Sequence, residues 1–453
     1  MKKNVIFWIG VKNKDHNDKY GNFEYFEYSK NTWKHFCKRF NCEFVEFNEP
    51  IQKDLFEYRV NWQKAIYVFE HLDKLGIEYD QIALVDSTCM YKWDAPNFFE
   101  LTENKFTAWR DNDNLNWIYQ SVQGYKEFFK DYELNISKYI NSGFIIFNES
   151  HKSFFNSFKE LYESNKSFFI NAQDVTIKRG TEQTPLNYWL QINNIDVKTD
   201  LPLPFKLTHL NRKDLFSFNW QLNTDQTPFF IKYGYNWIFN GIPKDQRSNL
   251  IKQLWGMVGH LYTDEAYISQ LIESGLNKDT AKFTTSKKFK YDIVNYFNNH
   301  KDKTYLELGS CQGNSILIYS NLFKHVTGLE FDNDNIQRSQ ELCKYCNNVS
   351  IYNFDVSGDW TELPNADIVN LDALHSYEGV QYMINNALKY YPNATFIIDD
   401  YGHEMNTIKP VIDSLLQENK IKVLQWIGED IGFKASNGKE FIDKEGLIFK
   451  FKL

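Results

Sequence analysis

A β-like run that opens into a glycine-punctuated turn is the stretch of the sequence that points most clearly to chemistry. Residues 304–310 read Thr-Tyr-Leu-Glu-Leu-Gly-Ser, a second glycine follows at Gly313, and residues 314–323 have a helical pattern. Glycines in a strand-to-helix turn let the backbone approach a ligand closely, with a helix N-terminus behind it. The glycine spacing alone is weak evidence for a ligand-binding turn. It becomes stronger evidence because the other strands and helices of an α/β domain follow in order.

Acidic residues stand at the ends of the β-like runs that follow this turn. The second run, residues 325–330, ends at Glu330, where a carboxylate suits the two hydroxyls of a ribose. The later runs also end in carboxylates, namely Asp355, Asp372 and the adjacent pair Asp399 and Asp400. Strands that alternate with helical patterns predict a parallel α/β sheet. The last two runs, 421–426 and 446–451, have no helix between them and are expected to pair antiparallel.

Residues 285–453 resemble the class I methyltransferases that use S-adenosylmethionine (SAM). The SAM contacts that this resemblance implies come from Glu307, Gly309, Ser310, Gly313, Glu330 and Asp355. The segments 371–379 and 398–402 narrow the resemblance to metal-dependent O-methyltransferases that act on sugar and macrolide hydroxyls. The resemblance implies a Rossmann-like domain with SAM as its cofactor.

Asp372, Asp399 and Asp400 are candidate ligands of a divalent metal, with magnesium expected. A sugar hydroxyl is a poor nucleophile at neutral pH, and a cation that binds its oxygen lowers its pKa and orients it. Magnesium prefers oxygen ligands. The alternative is that the three acids are solvated caps of strand ends.

The candidate general base of this half departs from the pattern of its relatives. Relatives often carry a second acid two positions after the first, where this sequence has Leu374. The general base would then be His375 or His403, because the pKa of histidine is usually close to neutral pH. Each of the two histidines has a purely structural role as its alternative.

Four segments of the first half, in order, resemble nucleotide-sugar glycosyltransferases with the GT-A fold. They are 79–88, 141–148, 181–187 and 239–244, and the resemblance covers residues 1–262. It implies that Asp86 meets the donor's ribose and metal, and that Asn141 and Gly143 line the donor sugar. Gln183 and Asn187 would lie by the anomeric carbon and the acceptor, and Lys244 would contact the diphosphate. The alternatives are a strand-end cap at Asp86, a plain turn at 141–143 and a solvated helix residue at Lys244.

Two departures from that family's pattern count against a metal in the first half. The second acid of the Asp-x-Asp element is Thr88, and the metal-binding histidine of many relatives is replaced by Ile238. One remaining carboxylate is a poor divalent site. Metal use is therefore weak, or Lys244 and Arg247 stabilise the leaving group instead, or this half has lost its activity.

Length and charge set the broad class. A chain of 453 residues is too long for one core, so we expect two domains. The two resemblances imply a glycosyltransferase-like domain at 1–262 and a methyltransferase domain at 291–453, with a linker expected at 263–290. The net charge of −8 argues against a nucleic-acid partner. The high aromatic content of 17% indicates an AT-rich coding genome, bacterial or viral. Scattered cysteines and the lack of a long apolar run favour a cytoplasmic protein with no membrane span.

These observations predict a two-domain enzyme of glycan assembly. The first domain would transfer a sugar from a nucleotide-sugar donor to a glycan acceptor, and the second would methylate a sugar hydroxyl. One alternative keeps the methyltransferase and makes the first domain a carbohydrate-binding module without activity. Others are an interaction protein without turnover and a nucleic-acid methyltransferase, which the charge disfavours.

Overall fold

The computed structural model divides the chain into two compact units, Met1–Tyr262 and Thr263–Leu453. It describes residues 2–12, 23–111, 114–205, 228–242, 244–274, 285–403, 407–434 and 440–452. No helix in these ranges is long and apolar enough to cross a membrane. All six cysteines are free thiols.

Strands of the first unit form two sheets within the described residues. The larger sheet has six strands in the order β2-β1-β3-β6-β5-β7, and β4 pairs with β8 in a second, two-stranded sheet. The strands are β1 (Lys3–Ile9), β2 (Glu43–Phe47), β3 (Tyr79–Asp86), β4 (Cys89–Tyr91), β5 (Phe106–Arg110), β6 (Ile140–Asn148), β7 (Val197–Lys198) and β8 (Asn236–Ile238). Strands β1, β2 and β3 are parallel, whereas β6 runs antiparallel to both β3 and β5.

Helices of the first unit pack their apolar faces against both sides of the larger sheet. They are α1 (Tyr25–Phe40), α2 (Val60–Ile66), α3 (Val68–Leu75), α4 (Leu115–Tyr125), α5 (Lys152–Ser164), α6 (Lys166–Asn171), α7 (Gln183–Ile192), α8 (Phe229–Tyr233) and α9 (Lys244–Val258). The sheet lies between two cores because alternate residues of each strand face opposite sides. In β3, for example, Ile82 and Leu84 belong to one core and Ala83 and Val85 to the other.

The second unit is built on one seven-stranded sheet among its described residues. Its order is β11-β10-β9-β12-β13-β15-β14. The strands are β9 (Thr304–Leu308), β10 (His325–Glu330), β11 (Val349–Asn353), β12 (Ile368–Leu371), β13 (Thr395–Ile398), β14 (Ile421–Lys434) and β15 (Glu440–Phe451). The first five are parallel, and β15 is antiparallel to both β13 and β14. The predicted α/β class is confirmed, with a Rossmann-like sheet in each unit.

Helices of the second unit cover both faces of its sheet. They are α10 (Asp264–Glu273), α11 (Lys287–Phe297), α12 (Asn314–Tyr319), α13 (Asn333–Leu342), α14 (Tyr377–Tyr390) and α15 (Ile408–Gln417). Helix α10 stands where a linker at 263–290 was expected. Thr263 caps it by accepting a hydrogen bond from Ala266 N, and Ile268 and Ile272 enter a core with Phe289. The described part of that segment is therefore packed structure.

Candidate active sites

The glycine turn of the second unit lies at the point where the strand order reverses. Strands β10 and β11 extend to one side of β9, and β12 and β13 extend to the other. In sheets of this kind a crevice forms outside the carboxyl ends of the two strands at the reversal, here β9 and β12. Gly309 follows β9, and Asp372 follows β12.

Both predicted loop glycines have left-handed backbones and close neighbours. Gly309 has φ +85°, and a Cβ atom there would lie 2.0 Å from the backbone oxygen of Asp372. Gly313 has φ +79°, and a Cβ atom there would lie 2.8 Å from Ser339 Oγ. Neighbouring protein atoms leave no room for a side chain at either position, so glycine is required there even without a bound ligand.

Glu330 holds this turn in place. Its Oε2 accepts a hydrogen bond from Cys311 N at 2.7 Å. Its Oε1 accepts bonds from Phe331 N and Asp332 N, both at 2.9 Å. The carboxylate that the sequence assigns to a ribose thus also ties the end of β10 to the glycine turn.

Glu307 and Ser310 lie inside the unit, whereas Asp355 lies on its surface. Glu307 accepts hydrogen bonds from Ser315 Oγ at 2.6 Å and from Tyr305 Oη at 3.1 Å, and burial raises its pKa to about 7. Ser310 Oγ is buried and has no hydrogen-bond partner among the described residues. Asp355 comes two residues after β11 ends and accepts bonds from Ser357 Oγ and N at 2.6 and 2.9 Å, which lower its pKa. In this structure Asp355 caps a turn.

Asp372, Asp399 and Asp400 meet at one edge of the sheet. Leu371 pairs with Ile398 in the parallel ladder of β12 and β13, so the residues after them are neighbours. Burial, and then repulsion by Asp399, raise the pKa of Asp372 well above its ordinary range. The pKa of Asp399 is raised by burial and by repulsion from Asp400. Asp399 is 4% exposed, and its Oδ1 has no hydrogen-bond partner among the described residues.

The causes of these raised pKa values are burial and neighbouring carboxylates, and a bound cation would offset both. The described residues nevertheless contain no group of three or more His, Cys, Asp or Glu side chains arranged to hold a metal ion. Of the two candidate bases, His375 is exposed and its Nδ1 lies 3.6 Å from Asp400 Oδ2. His403 is exposed and donates its backbone N–H to Asp400 O at 3.0 Å.

The first unit contains a cavity of about 1090 Å³. Its lining includes Asp86 and Gln183, two of the predicted donor-site residues, with Ser142, Glu182 and Asn240 beside them. Gln183 donates from Nε2 to Asp111 Oδ2 at 3.0 Å and accepts from Ser142 N at 3.1 Å.

Two of the predicted donor-site residues stand inside β6. Asn141 and Gly143 lie within that strand, so the alternative of a plain turn at 141–143 does not hold. Asn141 donates from Nδ2 to Asp111 Oδ2 at 3.1 Å and accepts from Gly143 N at 2.9 Å. At Gly143 a Cβ atom would lie 3.0 Å from Asp86 Oδ2, so glycine lets β6 pass close to that carboxylate.

Asn187 and Lys244 cannot be placed at the cavity. Asn187 is 1% exposed, accepts from Ile140 N at 2.7 Å and donates to Ile140 O at 2.9 Å and Gln183 O at 2.8 Å. The two bonds to Ile140 tie α7 to β6, and both N–H donors and the oxygen of the Asn187 amide are engaged. The side chain of Lys244 lies outside the described residues.

Neither Lys64 nor Asp111 is predicted from the sequence, and Glu182 and Asn240 lie inside the segments 181–187 and 239–244 without a predicted role. All four side chains surround the predicted residues. Lys64 is 3% exposed and forms ion pairs with Asp86 at 2.8 Å and Glu182 at 3.2 Å. The feature of the sequence that could have indicated Lys64 is a charged residue among the buried residues of α2, between Trp62 and Ala65.

Among known proteins, this chain is similar to solved structures. No family model matches the chain, and no curated protein does. A precorrin-6y C5,15-methyltransferase from Geobacter metallireducens is 12% identical over 38% of this chain and 91% of its own, with a TM-score of 0.29. TehB from Haemophilus influenzae is 15% identical over 41% and 67%, with a TM-score of 0.30. The tRNA (m1A58) methyltransferase TrmI from Aquifex aeolicus is 19% identical over 41% and 76%, with a TM-score of 0.29. Likeness at this level supports no conclusion about function.

Proposed function

We propose that the second unit binds SAM and transfers its methyl group to a hydroxyl oxygen, with a sugar hydroxyl as the acceptor. The observation that carries this proposal is the position of the glycine turn and the carboxylates. Gly309 and Asp372 follow the two strands between which the sheet order reverses, where ligands of such sheets bind. Glu330 lies at the same edge, in the place where a carboxylate meets ribose hydroxyls.

The acceptor hydroxyl needs help that the neighbouring residues are suited to give. Bound SAM supplies an activated methyl group, so the remaining difficulty is the weak nucleophile. In this proposal Asp372, Asp399 and Asp400 would hold a divalent cation, which would lower the pKa of the hydroxyl. The burial of Asp399 and its Oδ1, which has no hydrogen-bond partner among the described residues, support this assignment.

We assign the general base to His375 in preference to His403. The Nδ1 atom of His375 is 3.6 Å from Asp400 Oδ2, close enough for the carboxylate to orient the ring. Its exposure leaves it free to release the proton to water.

Methyl transfer by the full chain tests this proposal. The chain is incubated with SAM and a panel of oligosaccharides, and methylated product is detected by mass spectrometry with and without excess chelator. Product that forms with magnesium and is lost with chelator supports both the activity and the cation. If the amount of product is unchanged by chelator, the cation part of the proposal is wrong. Asp372 and Asp399 would then share a proton instead.

A second candidate function, glycosyl transfer from a nucleotide sugar, is favoured by the cavity of the first unit. Its volume of about 1090 Å³ suits a nucleotide-sized ligand. Asp86 is the last residue of the buried strand β3 at the cavity wall, and Arg247 also lines the cavity, where it would meet a diphosphate. A carbohydrate-binding module without turnover remains the alternative.

Thermal shift of the full chain with a panel of nucleotide sugars tests this second candidate, because a bound ligand raises stability by mass action. A shift followed by donor hydrolysis or transfer supports glycosyl transfer. A shift with free oligosaccharide and none with any nucleotide sugar supports the binding module.

A further inference from the structure

The ammonium group of Lys64 is enclosed by oxygen atoms at the back of the first unit's cavity. It donates to Asp86 Oδ1 at 2.8 Å and to the backbone oxygen of Ser142 at 3.3 Å, and it lies 3.2 Å from Glu182 Oε1. A lysine has three N–H donors, and these three acceptors use all of them. Burial opposes the charge on Lys64, but attraction to Asp86 and Glu182 outweighs burial and raises its pKa. Lys64 therefore stays charged at neutral pH.

The acid that would hold a divalent ion is already engaged by other side chains. Asp86 Oδ1 accepts from Lys64, and Asp86 Oδ2 accepts from Asn240 Nδ2 at 3.3 Å. The Thr88 hydroxyl, at the second position of the Asp-x-Asp element, donates to Asn240 Oδ1. Neither position presents a free carboxylate pair to a metal ion, so these residues do not fit the metal site that the resemblance implies.

We propose that Lys64 is a built-in cation that takes the electrostatic place of a divalent ion, so that the cavity binds a nucleoside diphosphate without metal. The ligand class rests on the proposed glycosyl transfer, whereas the role of Lys64 rests on the contacts alone. Three oxygen atoms converge on one buried positive charge, as they would on a metal ion. The single positive charge of Lys64, placed behind Asp86 and Glu182, offsets one of their two negative charges and so weakens their repulsion of an anionic ligand.

The charges that face the cavity agree with this arrangement. Among the described lining residues the cationic side chains are Lys53, Arg59 and Arg247, and the acidic ones are Asp54, Asp86, Asp174 and Glu182. Arg59 pairs with Asp174, and Lys64 neutralises charge at Asp86 and Glu182 from outside the lining. Of the remaining lining charges, Lys53 lies 3.7 Å from Glu49 and Asp54 is acidic. The proposal therefore assigns contact with phosphate oxygens to Arg247.

The first arm of the test measures nucleoside diphosphate binding to the wild-type full chain. Uridine and guanosine diphosphates are titrated calorimetrically in excess chelator and again with manganese. The proposal predicts that the Kd in chelator stays within about twofold of the Kd with manganese. A loss of affinity of about tenfold or more in chelator, restored by manganese, would overturn it.

The second arm needs no nucleotide and compares manganese uptake, followed by electron paramagnetic resonance, between variants. Lys64→Met should bind about one more Mn²⁺ per chain than wild type, because Asp86 Oδ1, Glu182 Oε1 and Ser142 O are left around an empty point. The double variant Lys64→Met/Asp86→Asn should lose the extra ion. Lys92→Met is the matched control, since Lys92 is also buried but pairs with a single acid, Asp94. A folded Lys64→Met without extra uptake would overturn the proposal.

The two arms separate failure of this inference from failure of the proposed glycosyl transfer. If neither nucleotide binds under any condition, glycosyl transfer from these donors is wrong, and manganese uptake alone decides the role of Lys64. If Lys64→Met does not fold, wild type is compared with Asp86→Asn. Equal manganese uptake by these two supports the proposal, and lower uptake by Asp86→Asn contradicts it.

Discussion

At the scale of single residues, Gly309 and Glu330 serve the glycine turn in different ways. The sequence suggests that both contact a cofactor. In the structure, Gly309 makes room for the backbone of Asp372, and Glu330 binds the backbone of the turn itself. A substitution at Gly309 therefore affects folding before it affects binding.

Gly309→Ala should destabilise the chain by about 2–4 kcal/mol, because a side chain strains the positive φ and meets the Asp372 oxygen. Gly432→Ala is the control, since a Cβ atom there has nothing within 4 Å, and we expect a change within about 0.5 kcal/mol. Urea unfolding of both variants measures the difference. Equal stability of the two variants would show that the turn is not packed as described.

Buried Glu307 should make stability depend on pH. Burial raises its pKa to about 7 from the ordinary value of 4.5, so its contribution is fully present below about pH 4.5 and is lost as pH rises through 7. The loss by pH 8 is at most about 3 kcal/mol. Glu307→Gln should flatten this dependence in urea unfolding at pH 5 and pH 8, whereas Glu341→Gln on the surface should keep it. An unchanged slope in Glu307→Gln would assign the dependence to other groups.

At the scale of elements, the sequence predicts the order of strands and helices in the second unit better than it predicts where strands begin and end. Alternating strands and helices and the final antiparallel pair are present as expected. Strands β14 and β15 are longer than 421–426 and 446–451, because pairing continues to Lys434 and Glu440. Asn141 and Ser142 are accommodated inside β6 because Asp111, Glu182 and Gln183 bind them, and partners so far apart in sequence leave no local pattern. Lys64 escaped prediction for the same reason.

The junction of α7 and β6 gives a prediction at this scale. Asn187→Ala should lower the free energy of unfolding by about 1–3 kcal/mol, because it leaves buried backbone groups of Ile140 without partners. Asn193→Ala is the control, since Asn193 is exposed and its side chain bonds only to Trp189 O. Chemical denaturation measures both variants. A stable Asn187→Ala with impaired sugar binding would instead restore the acceptor-side role that the resemblance implies.

At the scale of the whole molecule, each unit carries its own core and its own candidate site. The first unit's cavity and the second unit's glycine turn use separate sets of residues. The proposed functions should therefore respond separately to mutation.

Asp86→Ala should abolish nucleotide-sugar binding and leave SAM affinity within about twofold of wild type, because the two sites share no residues and independent sites behave additively. Asp399→Asn should abolish methyl transfer and leave nucleotide-sugar binding unchanged. Calorimetry with each ligand on each full-length variant gives the four values. Loss of both ligands in either single variant would show that the sites are coupled.

Calorimetric titration of SAM into the full chain tests the central claim most directly. Wild type should bind one SAM per chain, and Glu330→Ala should lose at least about tenfold in affinity, because it removes both the ribose-side carboxylate and the bond to Cys311 N. Asp334→Ala, which removes an exposed acid from the first turn of α13, should bind as wild type does. Absence of SAM binding by folded wild-type protein, or equal affinity in Glu330→Ala, would contradict the assignment of this turn as the cofactor site.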